Sequence, residues 1–233
     1  MREGRAEGFS IAFVEDIYIQ KRMYIGLSMA RKTKAEAAET RLKILDAAEL
    51  LFFEHGVAQT SLEQIAEAAG VTRGAIYWHF ANKVDLFKAL HERVRLPQED
   101  IVRQAAVEGH PDPLGLIEQV ALDCLKIITS DVRQQRVSTI LLLRCEYVGE
   151  MAAALTRQQD ADAVMRKDLL RIFTMARENN SLAEAWTPAI AAKAFESMMR
   201  GLWADWLRFG HNFNLVTIGS QCITELFQAF RTK

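Results

Sequence analysis

Apolar residues recur at steps of three and four along most of this chain, a period that predicts helices rather than strands. Between residues 39 and 54, Ile44, Leu45, Ala48, Leu51 and Phe52 form one stripe, and Gly56 ends the helix carrying it. A shorter stripe of Leu62, Ile65, Ala66 and Ala69 lies between Ser61 and Gly70. A third helix follows Thr72, with Ile76 and Phe80 beneath it, and Asn82 opens a fourth, along which Leu86, Leu90 and Val94 share one side. That fourth helix is read either as continuing through residues 96–107 with a bend at Pro97, or as ending at Pro97. The run Gly109-His110-Pro111-Asp112-Pro113 is the clearest break in the chain. Beyond it, residues 114–129, 132–147, 150–179, 188–209 and 215–230 all read as helices. The last of them repeats Ile218, Cys222, Leu226 and Phe230 at steps of four. The expected architecture is all-α in two parts, residues 29–90 and 91–233. Residues 1–28 form an extension expected to be disordered or to come from an upstream start, with Met29 as the true beginning.

The chemistry concentrates in the second and third helices. Ser61 can cap the second, with Gln64 completing a capping box, and Gly70 suits the left-handed turn that ends it. Thr72 caps the third helix, and the small Gly74 leaves its first turn open to close approach by a backbone. Tyr77, Trp78 and His79 cannot all face the core from one helix, so at least two point outward beside Arg73. An exposed aromatic cluster next to a cation, after a helix and a glycine turn, is the outline of a helix-turn-helix DNA reader. The residues assigned to DNA are Ser61, Thr72, Arg73, Gly74, Tyr77, Trp78, His79 and Lys83. Arg73 and Thr72 lie toward base edges, and Tyr77, His79 and Lys83 toward phosphates.

Residues 40–90 resemble the DNA-binding domain of the TetR family of bacterial regulators. The likeness rests on Gly56, Thr60, Ile65-Ala66, Ala69-Gly70-Val71, Arg73-Gly74, Tyr77, His79-Phe80, Lys83 and Leu86. Met29-Ala30-Arg31-Lys32-Thr33-Lys34, the run from Gly70 to Phe80, and Arg144-Cys145-Glu146-Tyr147-Val148-Gly149-Glu150-Met151 are similar to the repressors of Acr-type multidrug efflux pumps. The resemblance implies an N-terminal helix-turn-helix domain and a C-terminal helical domain for ligand binding and dimerisation. It also implies a homodimer on a palindromic double-stranded operator, released by hydrophobic small-molecule inducers, in the cytoplasm. The alternative is an activator, or a regulator of an unrelated metabolic operon.

Composition narrows the field further. The chain has 233 residues and a net charge of −1, so it is no general polyanion binder. Between residues 29 and 43, however, Arg31, Lys32, Lys34, Arg41 and Lys43 outnumber Glu36 and Glu39, giving a basic arm ahead of the reader. No phosphate loop, nucleophile elbow or His-Glu-x-x-His occurs, and the histidines do not fall at metal-ligand spacing. An enzyme, a metal site and a cofactor are therefore not expected, nor is a membrane span. Cys124, Cys145 and Cys222 are read as small buried apolar residues rather than redox switches. The second part calls for a sensing role. Phe195, Met199 and Trp203 on one helix, with Ser138, Thr139, Leu142 and Glu146 on another, are the expected ligand-binding residues. Glu146 is there to meet a cationic drug or to pair with Arg144 or Arg200.

Overall fold

The computed structural model describes residues 11–94 and 96–232, and their side chains from Thr33 onward except those of residues 97, 157 and 161. The first helix, α1, runs Ile11–His55, so residues 11–28 belong to it, and residues 1–10 lie outside the described residues. Its stripe of Ile44, Leu45, Ala48 and Phe52 is fully buried. The chain leaves α1 through Gly56 at φ +83°, a left-handed conformation that a side chain would strain. Helix α2, Leu62–Ala68, starts with the reciprocal Ser61–Gln64 capping box, and Gly70 turns the chain at φ +66°. Thr72 then caps α3, Arg73–His79, and Asn82 caps α4, Lys83–Glu92. Leu62, Ile65, Ile76, Phe80, Leu86 and Leu90 close this first core over α1.

The fourth helix is shorter than the sequence suggested. Pro97 does not bend it but opens a separate helix, α5, Pro97–Glu108. At a first helical position the missing N–H costs nothing, because that group has no intrahelical partner in any case. Glu99 reinforces the new start by accepting from the Leu96 backbone N–H at 3.3 Å.

Helix α6, Pro113–Ser130, is followed after Asp131 by α7, Val132–Thr139, and then by one wide turn over Ile140–Arg144. The helix expected over 132–147 therefore ends early, and Cys145 is already extended. The carbonyls released there find partners: Val57 N–H donates to the Arg144 carbonyl at 3.0 Å, and the Tyr147 hydroxyl donates to that of Leu141 at 2.8 Å. A short turn, Gly149–Met151, leads into α8, Ala152–Glu178. The last helices are α9, Pro188–Arg208, and α10, Leu215–Phe230.

A second core fills the space between α5, α6, α8, α9 and α10. Its centre is aromatic: Phe173 meets Phe230 edge-on at 5.3 Å, and Phe195 meets Phe227 at 5.6 Å. Helix α10 packs on α6 so closely that a Cβ on Gly219 would stand 2.7 Å from Leu125 Cδ1. The buried stripe of α10 is accordingly Leu215, Gly219, Ile223, Phe227 and Phe230. The stripe at steps of four lies beside it: Phe230 is buried, Cys222 and Leu226 are half-buried, and Ile218 is exposed.

Candidate nucleic-acid interface and sensing cavity

Helix α3 buries Ile76 and turns its other faces outward. Trp78 is 74% exposed and stacks edge-on with the His79 ring at 4.6 Å. Burial, and then the nearby Arg41 charge, lower the pKa of His79, favouring a neutral imidazole. Tyr77 and Arg73 are both held by Glu63 of α2: the Tyr77 hydroxyl donates to its carboxylate at 3.1 Å, and the Arg73 guanidinium lies 3.0 Å away. Backbone hydrogen bonding and the Tyr77 hydroxyl, more than Arg73, hold the Glu63 carboxyl below its usual range. Glu63 thus presents a cation and a phenol at the mouth of the reader. A surface pair of this kind is weak enough to be exchanged for phosphate or a base edge. Gly74 and Thr72 are exposed on the same first turn, and Ser61 is half-buried at the start of α2.

Lys83 departs from its expected role. Its ammonium donates to the Val57 carbonyl at 3.1 Å and pairs with Glu150 at 3.1 Å, leaving its side chain 12% exposed. It fastens the end of the reader to the Gly149–Met151 turn and does not reach out toward phosphate. In the basic arm, Lys34 is exposed, and Arg41 lies over the Phe80 ring at 5.1 Å. The side chains of Arg31 and Lys32 are outside the described residues.

The second site is a cavity of about 460 Å³ between α5, α6, α7, α8 and α9. Ser138, Leu142, Phe195, Met199 and Trp203 line it, so the structure brings five of the seven expected residues together. Thr139 is not among its lining; its hydroxyl bonds back to the Gln135 carbonyl at 2.8 Å. Glu146 is exposed on the extended run after the wide turn, away from the cavity, because the helix meant to carry it has already ended. Its expected partner Arg200 pairs instead with Asp162 and Glu196, each at 3.2 Å. Burial works against ionisation of Glu196, but Lys193, Arg200 and Arg166 outweigh it and lower its pKa. Cys124 also lines the cavity, and burial pushes its thiol up to about 12, so it is no nucleophile there. Cys145 is likewise raised, to about 11, chiefly by burial.

A third group of residues connects the two sites and was not anticipated. Glu49 of α1 has its side chain 2% exposed, yet lies 2.6 Å from Arg136 Nε and 3.1 Å from Arg133 Nε, both on α7. Asp46 shares Arg133 at 3.1 Å and takes Arg93, just past α4, at 2.7 Å. The next residue of α7, Gln134, lines the cavity and donates to the Val94 carbonyl at 2.7 Å. Helix α7 is therefore a cavity wall on one face and a charged clamp on the DNA-binding part on the other. The sequence carried one signal of this: Glu49 sits among Leu45, Ala48 and Phe52, where a carboxylate needs partners.

Among the described residues no His, Cys, Asp and Glu cluster could hold a metal ion, and no helix is long and apolar enough to cross a membrane. Residues 44–90 match the model of the bacterial regulatory proteins of the tetR family. Residues 112–231 match that of the C-terminal region of MAATS-type transcriptional repressors. The HTH-type transcriptional repressor BepR of Brucella suis is 45% identical over 205 residues, spanning 86% of this chain and 96% of that protein. The crystal structure of NalD, the secondary repressor of the MexAB-OprM multidrug efflux pump in Pseudomonas aeruginosa, superposes with a TM-score of 0.75 at 36% identity, covering 84% of this chain and 98% of that one. The SmeT–triclosan complex, whose protein represses a multidrug efflux pump of Stenotrophomonas maltophilia, gives 0.75 at 30% identity over 84% and 93% of the two chains.

Proposed function

The chain belongs to the TetR family of bacterial regulatory proteins, and from that premise we propose that it represses a multidrug efflux operon and leaves its operator when a lipophilic inducer fills the cavity. The efflux target is drawn from NalD and SmeT, and the inducer from the triclosan complex. The observation that carries the reading is the position of α7. Gln134 and Ser138 face the cavity while Arg133 and Arg136, on the same short helix, grip Glu49 on α1, the helix over which the reader's core closes. A molecule that presses on the first pair displaces the second. Coupling then runs through α7 and the Val94 carbonyl, not along one long fourth helix. Differential affinity for the two positions of α7 is all that the switch requires.

Repression itself calls for two readers on two half-sites, hence a palindromic operator and a homodimer. The dimer surface is assigned to the outer faces of α9 and α10, where Ile190, Ile218 and Phe209 are exposed. Operator duplexes selected from a random pool should be palindromic, and adding the protein should lower transcription from a promoter that carries one. Increased transcription would make the protein an activator.

Within the reader, Arg73 and Lys83 should separate cleanly. Arg73→Ala is expected to cost about 1–3 kcal/mol of operator affinity and to relax sequence preference. Salt dependence should fall by about one unit wherever Arg73 also meets phosphate. Lys83→Ala should leave the salt slope as it is and lower thermal stability, since its ammonium is spent on Val57 and Glu150. Salt titrations of both variants decide; a flattened slope for Lys83→Ala would return it to the phosphate contacts.

A further inference from the structure

At the mouth of the reader stands an anion, Glu63 of α2, exposed beside the exposed Arg73. A carboxylate on a face that meets phosphate is repelled by it, so its presence there calls for a reason. The start of α2 does not supply one, because Ser61 and Gln64 already cap that helix. The contacts of Glu63 lead instead to α3. One oxygen, Oε1, lies 3.0 Å from Arg73 Nη2 and accepts from the Tyr77 hydroxyl at 3.1 Å. The third side of the triangle is a cation–π contact: the Arg73 guanidinium lies over the Tyr77 ring, 5.8 Å from its centroid.

Such a triangle restricts a side chain that would otherwise sample many rotamers. A guanidinium carries five N–H groups in a flat fork, and Glu63 engages it at Nη2, so other N–H groups of the fork remain for a base edge. On DNA of arbitrary sequence the contacts are to phosphate, and there Glu63 both repels the backbone and occupies the cation that would meet it. We infer that Glu63 is a positioning residue for sequence reading: it presents Arg73 to base edges rather than to phosphate, and so favours the operator over other DNA. This rests on the base-reading role given to Arg73 above. An exposed ion pair is weak, so its contribution to the ratio of operator to random-sequence affinity is about three- to fivefold.

Affinities of the full-length protein for a selected operator duplex and for a random-sequence duplex of equal length give that ratio directly. Glu63→Ala, which removes both contacts to α3, should lower it by about three- to fivefold. A loss of folded protein, or a changed grip of Tyr77 on phosphate, would alter binding to both duplexes alike and leave the ratio unmoved. The decisive arm is a double-mutant cycle with Arg73→Ala. Once Arg73 is gone, Glu63→Ala should change the ratio by less than about twofold, because Glu63 acts through that residue. A ratio in Glu63→Ala within about twofold of the native one would overturn the inference, as would a Glu63 effect that persists in full without Arg73. The two readings fail differently. If Arg73→Ala lowers the ratio and Glu63→Ala does not, base reading by Arg73 stands and only the positioning role falls. If Arg73→Ala itself leaves the ratio unchanged, base reading by Arg73 falls and the positioning role falls with it.

Discussion

Replacing Glu49 with Gln is expected to lower the melting temperature by about 5–10 °C near neutral pH, reflecting a loss of about 2–3 kcal/mol. The substitution keeps the volume and the shape but removes the charge that Arg133 and Arg136 share. Removing one partner from a fully buried pair costs more, about 3–5 kcal/mol, but these arginines are partly exposed and water recovers some of it. Asp46 keeps Arg93 and Arg133 in place, so the variant should fold. Scanning calorimetry reads the shift directly. A melting point within about 2 °C of the native protein would reduce the clamp to a surface pair of little weight.

The second large effect concerns assembly. Ile218→Glu should give a folded monomer whose operator affinity is about 100-fold or more below that of the native dimer, because the second half-site no longer binds at high effective concentration. Ile218 is 44% exposed and stands clear of the α10 core stripe. A carboxylate there would bring like charges into the proposed dimer surface while sparing the α10 core stripe. Trimming the chain from residue 215 would be uninformative, since Phe227 and Phe230 are fully buried and their loss empties the aromatic core. Sedimentation, far-ultraviolet circular dichroism and operator titration together settle the point. An intact dimer with unchanged affinity would move the dimer surface elsewhere.

What the sequence disclosed was mostly local. Ser61, Thr72 and Asn82 declare helix starts within three residues of themselves, and each accepts the backbone N–H that its position required. The outward Tyr77 and Trp78 follow from helical geometry alone. Failures came where a distant residue decides. Pro97 reads the same locally whether it bends a helix or opens one. Helix α10 carries two apolar arcs, and contact with Leu125 on α6 selects the one containing Gly219 for the core, leaving Ile218, Cys222 and Leu226 on the arc assigned to a second copy. That glycine, the smallest residue on the helix, was the available clue. The early end of α7 depends on Val57 taking the Arg144 carbonyl, a contact 87 residues away in sequence terms comparable to that joining Glu49 and Arg136. Lys83 lost its expected freedom to Glu150 in the same way. Within the cavity, the large side chains of α9 were legible from their crowding, whereas Gln98 and Gln134 carry no signal until α5 and α7 are placed side by side.

Inducer and operator are proposed to oppose each other through α7. Linkage makes this measurable: a molecule that weakens operator affinity tenfold must itself bind the operator complex tenfold more weakly than the free protein. Titrating triclosan against the free protein and against the protein saturated with its selected operator measures both halves of that relation. Equal factors are expected in the two directions, and smaller ones in the Glu49→Gln variant, in which the clamp is weakened. Equal triclosan affinities for free and operator-bound protein, with the cavity demonstrably occupied, would contradict coupling through α7.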